Sequence, residues 1–110
     1  MTDNMLSVLE SYTLEDAEDI GKGIADDFRK RRIEKNLTRE EIAERSGVAV
    51  SNIVRFEQKG LISLQNLILV ARAMGYLAEV KGLFAQPKYS TMEELTQIRK
   101  NTGRKKVSRK

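Results

Sequence analysis

Residues 37–60 read LTREEIAERSGVAVSNIVRFEQKG, and two helix signals with a break between them lie within this one stretch. Thr38-Arg39-Glu40-Glu41 is a capping box, in which the threonine and the glutamate three residues later each accept from the other's backbone N–H. A helix is predicted to start there. Ser46-Gly47 follows within two turns, and glycine suits the left-handed conformation that ends a helix. A further helix is predicted from near Ala49 to about Gln58, closed by Lys59-Gly60. Ile42, Val48 and Ile53 are expected to face inward and lock the two helices, with Ala43 small where they cross and Gly47 permitting the turn. That leaves Val50, Ser51, Asn52 and Arg55 on the outward face of the later helix. A helix of this size fits the major groove of duplex DNA, where its N-terminal half reaches base edges.

Working outward, an earlier helix is predicted from Leu14 or Asp19 to Lys35, with Ile20, Ile24, Phe28 and Ile33 along its apolar side. Gly21 and Gly23 weaken its beginning, each by about 1 kcal/mol relative to alanine. No strand precedes them and no phosphate-binding pattern follows, so they do not read as a nucleotide loop. Downstream, Ser63 is predicted to cap a helix that ends at Met74-Gly75, with Leu64, Leu67, Ile68, Ala71 and Met74 on its core face. Leu69, Ala73 and Tyr76 fall on the other side and imply a second contact. Tyr76 to Phe84 is expected to add a short helix and Ala85 to Ser90 a linker, after which Ser90 caps an amphipathic segment carrying Met92, Leu95 and Ile98.

The pattern in residues 37–60, followed by ISLQNLILVARAMG at 62–75, resembles the phage-repressor and Cro-like helix-turn-helix regulators of the Xre family. The likeness covers about residues 20 to 76. It implies an all-α fold, a compact five-helix repressor-like helix-turn-helix domain with a C-terminal extension, binding a double-stranded DNA operator as a homodimer. Carried over residue by residue, the resemblance puts Val50, Ser51 and Arg55 at bases, Asn52 at their edge and Ala49 at the start of the reading helix. Lys59 is placed near phosphate. Arg39 stands where relatives most often have glutamine, so the operator sequence cannot be copied from them. Arg32 and Glu57 match a structural ion pair between the first and third helices. The extended chain is also similar to the HipB-like antitoxins encoded beside kinase-type toxins, which makes such a toxin a further expected partner. A phage or housekeeping repressor, or a protein-interaction module that kept the fold without DNA affinity, are the alternatives.

Composition bounds the rest. At 110 residues, 40% apolar and 33% charged, the chain has room for one small core. It holds no histidine and no cysteine, so thiol chemistry, disulfides and imidazole catalysis are excluded, and no metal site or cofactor is expected. The acidic pairs Asp26-Asp27, Glu40-Glu41 and Glu93-Glu94 diverge as helix neighbours and do not form opposed catalytic carboxylates. An enzyme is not expected. No apolar run approaches the ~18 residues of a membrane helix and no export signal is present, so the expected location is the cytoplasm. The net charge of +4 is strongly polarised. Residues 1–18 form an acidic segment, 19–84 the helix-turn-helix domain, 85–98 a linker and short amphipathic helix, and 99–110 a tail with seven bases and no acid. Such a tail reads either as a phosphate-contacting arm or as a solvated end.

Overall fold

The computed structural model describes residues 15–107, among which there are six helices and no strand. Helix α1 (Ala17–Glu34) starts from Asp16, whose side chain accepts from the Asp19 N–H at 2.8 Å while the Asp19 carboxylate reaches back to the Asp16 N–H. Acids from Asp16 to Asp19 therefore cap the helix and complement its dipole. Of the remaining acids of the expected N-terminal segment, Glu15 is exposed before the cap, and Asp3 and Glu10 lie outside the described residues. Helix α2 (Arg39–Ser46) begins at the anticipated capping box, with the Glu41 N–H donating to Thr38 Oγ1 at 3.0 Å and the Thr38 N–H to the Glu41 carboxylate at 3.1 Å. It ends at Gly47 in the left-handed conformation, φ 78°. Helix α3 (Val50–Lys59) follows after three residues and stops at Gly60, φ 69°. Ser63 caps helix α4 (Leu64–Met74), and helix α5 (Leu77–Lys81) is shorter than the segment to Phe84 predicted for it.

The chain divides into two compact units at Val80. In the first, α1 packs on α3, and α2 packs on both α3 and α4. Leu37, Ile42, Val48, Ile53, Val70 and Met74 make the central cluster, with Phe28, Leu67, Leu69 and Tyr76 packed against it. Phe28 of α1 meets Phe56 of α3 with ring centroids 5.2 Å apart and planes tilted by 56°, within the distance range of favourable aromatic pairs.

Two faces differ from the expected ones. In α1 the inward residues are Gly21, Ala25, Phe28 and Arg32, spaced by four, three and four, whereas Ile20, Ile24 and Ile33 are about half exposed. At the start of this face the Gly60 backbone comes too close to Gly21 for any side chain, and the larger Phe28 and Arg32 follow farther along. In α4 the fully buried side chain is Val70, and Leu64 is exposed. Leu69 and Tyr76 pack against the core cluster while remaining, like Ala73, partly exposed, so the side expected to make a second contact is in part taken up by the protein's own interior.

The second unit carries helix α6 (Met92–Asn101), capped by Thr91, with Ser90 bonded to the Glu94 carboxylate through both its N–H and its hydroxyl. The cap is thus one residue later than the predicted Ser90, and the helix runs three residues beyond Ile98. Arg99 and Lys100 belong to its last turn and not to the tail.

Gly21 and Gly23 have opposite settings. A Cβ on Gly21 would lie 2.9 Å from the Gly60 carbonyl oxygen, and one on Gly60 would lie 2.6 Å from the backbone of Gly21 and Lys22. Around Gly23 there is open space. Gly23→Ala is accordingly expected to stabilise by about 0.5–1 kcal/mol through helix propensity. Gly21→Ala, with the same propensity gain, is expected to destabilise by about 1–3 kcal/mol because two backbones must part. Urea melts of the two variants check this, and a gain at Gly21 would show that the close crossing is absent.

Candidate nucleic-acid interface

Helix α3 presents two chemically distinct sides. Ile53, Phe56 and Glu57 are buried, and Ser51, Asn52, Arg55, Gln58 and Lys59 are exposed. At about 100° per residue, Ser51, Arg55 and Gln58 share the face opposite Ile53, with Lys59 and Asn52 along one edge. Gln58 was not among the residues picked out by sequence pattern, although its spacing of three from Arg55 and seven from Ser51 was the available signal. Val50 is only partly exposed and sits at the side of the helix, not on its outward face. Ala49 precedes the helix without a side-chain cap, unlike the residues before α1, α2, α4 and α6. Its carbonyl already accepts from Asn52 and Ile53. The first N–H groups of α3 therefore depend on an outside acceptor.

The inward side of α3 is held by charge. Arg32 Nε and Nη2 donate to the two Glu57 carboxylate oxygens at 2.7 and 2.9 Å, a bidentate pair, and Arg32 Nη1 donates to the Leu37 carbonyl at 2.9 Å. The Arg32 side chain is 10% exposed and that of Glu57 is 1% exposed, so this pair is inside the protein. The expected link between α1 and α3 is formed. A third partner was not expected: Arg39, at the start of α2, donates Nε to Glu57 at 3.0 Å. One carboxylate thus ties together the end of α1, the start of α2 and the body of α3. Arg39 remains about one-third exposed, and its terminal guanidinium nitrogens are not used by this bond.

Burial alone would raise the Glu57 carboxyl, but the hydrogen bonds from Arg32 and then Arg39, together with their charges, bring it below the ordinary glutamate value. The carboxylate is ionised at neutral pH. In the basic run after Phe28, Arg31 pairs with Glu34 at 3.0 Å and Arg32 is consumed by Glu57, which leaves Arg29, Lys30 and Lys35 exposed.

A family model described as Helix-turn-helix matches residues 28–79, which run from Phe28 in α1 through α4 into α5. That family is one of DNA-binding regulatory domains. No curated protein and no solved structure matches the chain. Among the described residues, no helix is long and apolar enough to cross a membrane.

Arg32→Met is expected to cost about 3–5 kcal/mol, since it strands the Glu57 charge with only the partly exposed Arg39 beside it. Arg39→Met should cost less, about 0.5–1.5 kcal/mol, because solvent screens that bond. Glu57 has a folded pKa below its unfolded one, so its contribution is complete above the unfolded value of about 4.3 and is lost as pH falls through the folded value. Urea melts from about pH 7 to about pH 3 should show the gap between the native chain and Glu57→Gln closing on acidification. A gap that stayed constant with pH would contradict an ionised Glu57.

Proposed function

We propose that residues 28–79, the stretch that matches the helix-turn-helix family, bind double-stranded DNA with α3 in the major groove, and that the chain is a dimeric transcriptional repressor acting in the cytoplasm. The observation that carries this reading is the two-sidedness of α3. Its buried side is locked to α1 and α2 through Glu57, while its outward side offers Ser51, Asn52, Arg55 and Gln58, side chains able to donate and accept at base edges. Arg55 reads guanine by a bidentate contact, and Ser51 and Gln58 flank it along the groove. Val50, at the edge of the helix, packs on a thymine methyl group. Lys59, Arg39 and the uncapped start of α3 at Ala49 hold phosphates on either side of the groove. Arg39 then has two tasks, since the arm that steadies Glu57 also ends at the DNA backbone.

The antitoxin reading rests on the second unit. Between residues 81 and 107 no residue is buried, and Leu83, Phe84 and Tyr89 present apolar surface. Phe84 is fully exposed with φ 60°, a backbone region that few non-glycine residues occupy. A bulky ring held outward in that way suits a protein partner, and in an antitoxin that partner is a kinase-type toxin. A phage or housekeeping repressor would need no such surface.

Arg55→Ala should weaken specific binding by about 1–3 kcal/mol and relax preference at one base position, as read by binding-site selection and gel shift. An unchanged selected sequence would remove α3 from the groove. The basic residues beyond α6 act as a phosphate arm that raises affinity without choosing bases. Ending the chain at Thr102 preserves α6 and should flatten the dependence of log K on log salt by about 0.9 for each base that engages. Equal slopes for the full and shortened chains would show that these bases are merely solvated.

A further inference from the structure

We infer that α6 is a self-association helix that pairs in parallel with α6 of a second copy of this chain. The inference builds on the dimeric repressor proposed above and supplies it with a contact surface separate from Leu69 and Tyr76, which are partly covered by the core cluster. Three observations point to it.

Helix α6 has an apolar seam with nothing buried in it. Leu95 and Ile98 lie about 60° apart around the helix axis and are only partly covered, and the threonines at its two caps, Thr91 and Thr102, fall on the same line. These four residues follow the four-three-four spacing of a helix seam. A ten-residue helix without tertiary burial is marginal in water, so the seam needs a cover.

The charges beside the seam select the cover and its direction. Glu94 lies on one flank and Arg99 on the other, each about 70° from the centre of the seam and five residues apart. In a parallel pair the flank of one helix faces the opposite flank of its neighbour, so Glu94, whose carboxylate oxygens each accept one bond from Ser90 and keep a further lone pair, meets the partner's Arg99, and by symmetry the bond is made twice. An antiparallel pair would bring like flanks together, Glu94 towards Glu94 or Asn101 of the second copy and Arg99 towards Arg99 or Met92. The acidic start and basic end already serve the helix dipole, and parallel pairing uses two of those charges again.

The interface is small. Two helices of this length bury well under the ~1,200 Å² of a standard interface, so association in free solution is weak. It becomes effective when two helix-turn-helix domains sit on adjacent half-sites, where the second copy is held at high local concentration.

Sedimentation equilibrium of the full chain, without DNA and up to about 1 mM, should show a reversible dimer. Leu95→Gln with Ile98→Gln, which keeps helix-forming residues and touches no core, should weaken it by about tenfold or more. Thermal melting of the first unit should be unchanged. The chain has no cysteine, so a single thiol reports direction cleanly. Under mild oxidation Leu95→Cys should cross-link to itself in preference to forming a mixed product with Ile98→Cys. A monomer throughout the range, or a dimer indifferent to the paired glutamines, overturns the seam, and a mixed cross-link that predominates overturns the parallel direction. Because none of these measurements contains DNA, a failure of DNA binding would appear separately, in gel shifts of the same proteins on a single half-site.

Discussion

The carboxylate of Glu57 is the point on which the first unit depends. It is almost completely enclosed and receives Arg32 from α1 and Arg39 from α2, while itself belonging to α3. A buried charge without its partners costs several kcal/mol, so the three helices are obliged to meet in one arrangement if Glu57 is to remain ionised. Replacing the network by well-packed apolar side chains would not be inherently less stable. What the network adds is direction: the bidentate Arg32 contact is planar, and it fixes the rotation of α3 about its own axis. That rotation decides which residues of α3 face outward.

Backbone approach supplies the second constraint. Gly21 and Gly60 come together without side chains between them, at the turn where α3 ends. The aromatic pair of Phe28 and Phe56 lies in the same α1–α3 contact, and Arg32 reaches Glu57 one turn farther along α1. These three contacts are spread along α1 from Gly21 to Arg32, and they fix the C-terminal part of α3 from Phe56 to Gly60. A helix held this firmly, if it enters DNA as proposed, presents its side chains without ordering itself first, so less binding energy is spent on rearrangement.

Much of this was legible in the sequence because it depends on local chemistry. Thr38 with Glu41, Gly47, Gly60, Ser63 and Gly75 mark helix ends through their own backbone preferences, and each lies where the structure begins or ends a helix. Arg32 and Glu57 were legible only through the likeness to repressors, since nothing in a spacing of 25 residues reveals a contact. In α1 apolar periodicity favours Ile20 and Ile24, while the contact itself needs Gly21 and Ala25, residues that carry little hydrophobic signal. Arg39 was placed on DNA by its position in the pattern, and its bond to Glu57 could not be seen without the fold. Helical spacing sets Leu69 and Tyr76 apart from the core face, yet both pack against the core cluster while staying partly exposed, a contact that spacing alone does not reveal. In α6 the helix is longer than its apolar residues indicated, because Arg99, Lys100 and Asn101 extend it as polar residues.

If Glu57 sets the orientation of α3 so that its outward side meets bases, contact with duplex DNA must leave a footprint on that side and not on the basic end of the chain alone. Amide chemical-shift mapping of the full chain, titrated with a duplex that carries the selected site, resolves the two directly. The largest changes are expected at Val50 to Lys59 and at Arg39, with smaller ones spread over Arg104 to Lys106. Changes confined to the basic residues after α6, with α3 undisturbed at saturation, would contradict a helix-turn-helix reader and leave only a non-specific polyanion contact.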